Sequence, residues 1–283
     1  MRLGYNTNGL AHHSLPAAIE LLADIGYDCA AISIDYGVLN PYDHRNFEHE
    51  VREAQTLLNH HGLSSVIETG ARYLLDPRRK HEPTLLSESP AEQQCRIDFL
   101  RHAIDIAFSL ESDCVSIWSG RLLEGQDADD AMKRLAEGLQ QVLEHADREN
   151  VIIAFEPEPG MLIDTMNSFG KLLELVDSPL LKLTLDIGHL HCLGEVPIAG
   201  VIGQWSSRLT NIHIEDMCAG VHEHLMFGEG EIDFPPAIGA LREIGYTGPV
   251  NVELSRHSHV GPQAAQKAFE FLQPLMKATT PHA

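Results

Sequence analysis

Short apolar runs alternate along the chain with longer stretches in which apolar positions fall three and four residues apart. The runs read as buried strands and the stretches as amphipathic helices. Residues 2–6 form the first strand, and Ser14 starts a helix to about Gly26 with Pro16 tolerated in its first turn. Residues 29–34 (CAAISI) are the second strand and 46–61 the next helix, stopped at Gly62. Residues 63–69 (LSSVIET) are the third strand. A long loop leads from it to Ser89 and Pro90, an N-cap and first helical residue for a helix over 90–110. Strands follow at 113–118, 151–155, 181–185, 209–214 and 249–254. Between and after them lie helices at 128–149, 167–177, 197–207 (weaker), 234–244 and 262–277. Long exit loops are expected after 181–185 and over 216–231.

Eight strands alternating with eight helices predict a single-domain α/β fold, a (β/α)8 TIM barrel over residues 1–283. A doubly wound open sheet is the competitor. Its nucleotide-binding forms lack support, because no G-x-G-x-x-G follows the first strand and no P-loop appears.

A hydrophobic content of 43% is that of a globular chain with a real core, and no apolar run approaches a membrane span. The opening MRLGYNTNGL lacks the apolar core and small-residue cleavage site of a signal peptide. Five scattered cysteines without a C-x-x-C pair favour free thiols in a reducing cytoplasm. A formal charge of -21 speaks against a nucleic-acid partner, which needs a concentrated basic surface.

Chemistry gathers where the late strands give out. VIIAF ends at Glu156, LKLTL at Asp186, TNIHI contains His213 and VNVEL contains Glu253. Parallel barrel strands deliver their C-terminal ends to one face, so these four side chains converge. One such acid alone is commonly a helix cap or a turn residue. Three carboxylates and an imidazole in register make a hard site suited to Mn²⁺, Mg²⁺, Co²⁺ or Zn²⁺.

FEPEPG (155–160), LDIGHLH (185–191), NIHIED (211–216), GEGEIDF (228–234) and VNVELSRH (250–257) resemble the xylose isomerase-like barrel superfamily. That group spans sugar and sugar-phosphate isomerases and epimerases, inosose dehydratases and endonuclease IV. The resemblance implies a divalent metal on Glu156, Asp186, His213 and Glu253. In the ketose epimerase branch it also implies that Glu156 and Glu253 shuttle a proton through a metal-stabilised enediolate. The implied activity is a metal-dependent isomerase or epimerase of a small sugar, polyol or sugar acid, phosphorylated or not. An inosose-type dehydratase on the same metal is the alternative, followed by a zinc phosphodiester hydrolase. No membrane partner is expected, and barrels of this kind often pair, which allows a homodimer.

Three further groups stay open. His189, His222 and His224 hold a second ion, as the endonuclease IV pattern implies, or His189 and His224 bind substrate hydroxyls, as the epimerase branch implies; a mobile lid with exposed histidines is the plain reading. Against the endonuclease, strand four ends in Trp118-Ser119-Gly120 with no histidine. Glu158 either enters the pocket or caps a turn, while Pro157 and Pro159 stiffen that exit. The loop after strand three is the one basic island, with Arg72, Arg78, Arg79, Lys80 and His81. Arg72, nearest the strand end, is the candidate for a substrate phosphate or carboxylate; pairing with Asp76 and Glu82 is the plain alternative. Tyr5 and Asn6 are candidates for the pocket floor and Trp118 for its wall.

Overall fold

The strands obey the expected rhythm because each apolar run is cut by a turn or a cap. In the computed structural model, which describes residues 1–277, the chain forms β1 (Arg2–Asn6), α1 (Leu15–Ile25), β2 (Cys29–Ser33), α2 (Phe47–His61) and β3 (Ser64–Glu68). Then come α3 (Pro90–Ser109), β4 (Val115–Ile117), α4 (Ala128–Glu149), β5 (Ile153–Phe155), α5 (Met166–Leu175) and β6 (Leu181–Asp186). The last part holds α6 (Ile187–Cys192), α7 (Ile198–Trp205), β7 (Leu209–Ile214), β8 (Asp216–Cys218), β9 (Val221–Leu225), α8 (Phe234–Glu243), β10 (Pro249–Val252) and α9 (Gly261–Lys277).

Caps explain several boundaries. Ser14 accepts the Ala17 N–H at 3.4 Å to start α1, and Gly26, at φ 107°, ends it in the left-handed region that glycine adopts without strain. Ser89 and Pro90 open α3 as the sequence predicts. Asp127 accepts the N–H groups of Asp129 and Asp130, each at 3.0 Å, to open α4.

Eight strands close into a parallel barrel in the order β1-β10-β7-β6-β5-β4-β3-β2. β1 pairs with both β2 and β10, so the sheet has no open edge and the doubly wound alternative is excluded. Most of the apolar core lies between the strands and the surrounding helices, with Ile19, Leu22, Phe99, Leu135, Phe169 and Leu272 fully buried there. A second, small cluster of Cys29, Ala31, Val66, Cys114 and Ala154 has its own place in the sheet. Beside it runs a polar ladder: Asn251 Nδ2 donates to Asn211 Oδ1 (2.9 Å), Asn211 Nδ2 to Thr184 Oγ1 (3.3 Å), and Thr184 meets Ser116 at 3.0 Å. Two residues beyond Thr184, Asn211 and Asn251 stand Asp186, His213 and Glu253, and Glu156 stands two beyond Ala154 of the small cluster.

The structure departs from the expected elements in four places. The exit from β6 is not a loop: α6 starts at once, with Asp186 as its N-cap. The segment over 216–231 is not a loop throughout, because β8 and β9 pair antiparallel across a two-residue turn, Cys218 opposite Val221. The strands expected over 113–118 and 151–155 are shorter, at three residues each. Glu253 lies one residue past β10, tied by its N–H to the Ile214 carbonyl at 3.2 Å. Among the described residues no helix is long and apolar enough to cross a membrane.

Candidate metal centre

Register brings the first cluster together. Asp186 lies opposite His213 across β6 and β7, and Asn251 opposite His213 across β7 and β10. Glu156 follows β5, with its N–H on the Ile117 carbonyl at 2.7 Å. His213 Nδ1 lies 3.0 Å from Glu156 Oε1 and 3.0 Å from Glu253 Oε2. One donor atom from each of Glu156, Asp186, His213 and Glu253 lies within 4.8 Å of every other.

The electrostatics are those of crowded anions around one imidazole. Burial pushes the Glu156 carboxyl well above the usual carboxylate range, against the pull of His213. Burial acts on Glu253 and Asp186 too, but neighbouring imidazoles outweigh it and hold both below their ordinary values: His213 first for Glu253, His189 first for Asp186. Burial alone would lower His213; Glu156, Glu68 and Glu253 hold it well above its usual value instead. Asp186 Oδ1 accepts the His189 N–H at 2.8 Å, while Asp186 Oδ2 is buried with no hydrogen-bond partner. A buried carboxylate oxygen without a partner, facing two more carboxylates, fits a divalent cation.

The second cluster adjoins the first. His189, on α6, turns Nδ1 to the Pro157 carbonyl (3.3 Å) and Nε2 to His222 Nε2 (3.1 Å). His224 turns Nδ1 to the Glu253 carbonyl (3.1 Å) and Nε2 to His222 Nε2 (3.4 Å). A carbonyl only accepts, so Nδ1 of His189 and of His224 carries the proton and each Nε2 presents a lone pair. Burial pushes His189 down to about 4 and also lowers His222, which keeps those imidazoles neutral. Three ring nitrogens thus converge on one point, with His222 and His224 both on β9 of the hairpin.

Above both clusters opens a cavity of about 290 Å³. Glu158 lines it, and burial pushes that carboxyl up to about 8, with Glu253 and Asp186 adding to the effect. Asn6 and Trp118 also line it, as expected. Tyr5 does not: it is buried in the core, with its ring 5.7 Å from that of Tyr27. The basic island divides. Arg72 and Lys80 line the cavity, Arg72 braced by Asp35 at 3.4 Å and by the Asn8 carbonyl at 3.2 Å. Arg79 instead pairs with Asp76 and Glu92 on the surface.

Four residues at the site carry no sequence assignment. Glu68, the last residue of β3, lies 2.9 Å from His213 Nε2. Asn8 donates to Glu253 Oε1 at 2.8 Å. Glu215 is fully buried with neither carboxylate oxygen partnered. Asp216 accepts the N–H groups of Gly228, Gly230 and Ile232 at 2.8, 3.0 and 3.2 Å, which folds the GEGE turn back onto the hairpin. Glu68 ends a barrel strand as Glu156 does, so the same strand-end rule picks it out.

A closed (β/α)8 barrel with a carboxylate-rich donor set at the C-terminal ends of its strands defines a metal-site TIM barrel. The xylose isomerase-like TIM barrel family matches residues 19–275, and the chain belongs to that family. It is similar to the L-ribulose-5-phosphate 3-epimerase UlaE of Escherichia coli, 25% identical over 271 residues, covering 90% of this chain and 89% of that protein. Its fold is similar to that of D-allulose 3-epimerase from Methylomonas sp. (TM-score 0.78, 20% identity, 97% of this chain and 98% of that one). It is also similar to that of the IOLI protein with a bound zinc atom (TM-score 0.77, 18% identity, 98% of each chain).

Proposed function

We propose that the chain is a divalent-metal-dependent epimerase of a small ketose or ketose phosphate, inverting the carbon next to the carbonyl. The observation that carries this reading is the pair Glu156 and Glu253, 3.0 Å on either hand from His213 Nδ1. They come from strands separated in the barrel by β6 and β7. The names of the relatives agree with it.

Glu156, Asp186, His213 and Glu253 hold the metal. An ion bound there would supply Lewis acidity toward the substrate carbonyl and its neighbouring hydroxyl, and so acidify the C–H between them. One glutamate removes that proton from one face and the other returns a proton to the opposite face, which inverts the carbon. Asn8 fixes the direction of Glu253 through its 2.8 Å hydrogen bond. Glu158, which lines the cavity, hydrogen-bonds a substrate hydroxyl. Trp118 closes the far wall. Arg72 and Lys80 at the rim receive a phosphate or carboxylate.

His189, His222 and His224 hold a second divalent ion, a reading supported by their convergent ring nitrogens. An endonuclease-type third ion finds no histidine at Trp118, and the charge of -21 disfavours a nucleic-acid substrate. The five free cysteines suit a reducing cytoplasm.

Glu156→Gln and Glu253→Gln should each slow solvent deuterium exchange into a ketose by about 10²–10⁴-fold with the fold intact. Exchange at the wild-type rate in both variants overturns the assignment. Product mass separates the epimerase from a dehydratase, which loses water.

A further inference from the structure

We infer that Glu68 is the positioning residue that sets which nitrogen His213 offers to the metal centre. The inference rests on His213 being a ligand there.

An imidazole rotates about χ2 in a broad, roughly two-fold well, so sequence alone does not fix which of its edges faces inward. Here Nδ1 faces Glu156 and Glu253 at 3.0 Å each, on the inner side of the cluster. The outer nitrogen, Nε2, has two polar neighbours: Glu68 Oε1 at 2.9 Å and Asn211 Nδ2 at 3.2 Å. An amide nitrogen only donates. The Asn211 amide is also engaged elsewhere, its oxygen accepting from Asn251 at 2.9 Å and its nitrogen facing Thr184 at 3.3 Å. Glu68 is therefore the acceptor for the Nε2–H. With the proton held at Nε2, the Nδ1 lone pair is free for an ion.

Burial makes this selection firm. His213 is almost fully buried and the Glu68 side chain nearly so. Without Glu68 the Nε2–H would meet no acceptor among the described residues, and leaving such a donor unpaired costs about 1–3 kcal/mol. Rotating the ring would then be favoured, and would turn a carbon edge or a protonated nitrogen toward the carboxylates. A carboxylate behind a metal-bound imidazole also raises its basicity and fixes its plane. Glu68 arrives from β3, across the barrel from β7, so two strands that are not hydrogen-bonded neighbours together orient one ligand.

The test is metal binding, read without turnover. Chelator-stripped wild type, Glu68→Gln and Glu68→Ala are titrated with Co²⁺, following the visible d–d bands, with Asp186→Asn as the control that removes a ligand. Glu68→Ala should bind about 10–100-fold more weakly with altered bands, the usual cost of losing such a partner. Glu68→Gln, whose amide oxygen still accepts the Nε2–H, should restore the wild-type bands and most of the affinity. A purely packing role would leave the bands unchanged in Glu68→Ala. Wild-type affinity and bands in Glu68→Ala overturn the inference while leaving the metal centre standing, as does a Glu68→Gln no better than Glu68→Ala. Wild type that binds Co²⁺ no better than Asp186→Asn overturns the metal centre itself, and the inference with it.

Discussion

Removing the ion should cost measurable stability, and Asp186→Asn is the perturbation that isolates the effect. Two unit charges 4.8 Å apart at an effective dielectric of ~20 interact by roughly 3.5 kcal/mol, so three carboxylates within that distance oppose one another strongly. A bound cation relieves that repulsion, and its net effect follows from mass action. At a free concentration of about 100 times its dissociation constant, one ion stabilises the folded chain by about 2.7 kcal/mol. For 283 residues at about 2.1 cal/mol/K apiece, each kcal/mol moves the midpoint roughly 1.7 °C, which gives a rise of roughly 4–5 °C per ion. The assay is a thermal melt after chelation, then with Mn²⁺, Co²⁺ or Zn²⁺. Asparagine caps a helix as well as aspartate, so Asp186→Asn keeps the start of α6 and removes only the charge and its ligand oxygen. Its ion-induced rise should fall to about half of the wild-type value, the share of the second cluster. Acidification should weaken the effect as well. Glu156 has its pKa raised well above the usual range by burial in the ion-free site and must ionise to bind, so the rise grows with pH. No rise with any of these ions, or an undiminished rise in Asp186→Asn, would refute the reasoning.

Other expectations are independent of the ion. A Cβ at Gly188 would collide with Glu215 Oε1 and lie 2.8 Å from Met217 Cε. Gly188→Ala should therefore cost about 1–3 kcal/mol in urea denaturation, as overpacked sites do; a wild-type midpoint would contradict the packing described. Burial raises the phenols of Tyr5, Tyr27 and Tyr246. For these acids the folded state keeps its proton longer than the unfolded state does. Stability is then intact below pH ~10 and falls as pH rises beyond it, so absorbance at 295 nm should show part of the tyrosinate appearing only with loss of circular dichroism. Cys29 and Cys114 are fully buried, the first pushed up to about 12 by that burial. Both should resist a thiol reagent at pH 8 until denaturant is added, and rapid labelling of either in the native protein would contradict its placement.

The barrel was legible because each strand is a short apolar run stopped by a cap or a turn, and the period of two carries side chains to a common face. Asp186 and His213 could be read as neighbours for that reason, and the register places them opposite each other. Two kinds of feature escaped. Helix α6 has six residues, too few to display a helical period, and it begins at the last strand residue. The β8–β9 hairpin turns through Ala219-Gly220 without an Asn-Gly or Asp-Gly signal, and its second strand, VHEHL, carries three titratable residues in a row as an exposed loop does. Glu215 was hidden for a related reason. It lies two residues beyond His213, where an acid is ordinarily solvated, yet α6 and the hairpin cover it completely.

Those unread elements decide how the two clusters relate. Asp186 serves the first cluster with one oxygen and, with the other, accepts the N–H of His189 in the second. Glu253 offers its carboxylate to the first and its carbonyl to His224 in the second. The hairpin is pinned to α6 by the Gly220 N–H on the Cys192 carbonyl at 2.9 Å, and the Asp216 carboxylate gathers the turn beneath it. Of the three imidazoles, His224 is held by the carbonyl of Glu253 and His189 by that of Pro157, the residue next to Glu156. Filling one cluster should therefore shift the other through the Asp186–His189 and Glu253–His224 hydrogen bonds, 2.8 and 3.1 Å long. His189 is the point of greatest leverage. Its main chain fixes Asp186, its Nδ1 fixes the exit of β5 through Pro157, and its Nε2 belongs to the second cluster.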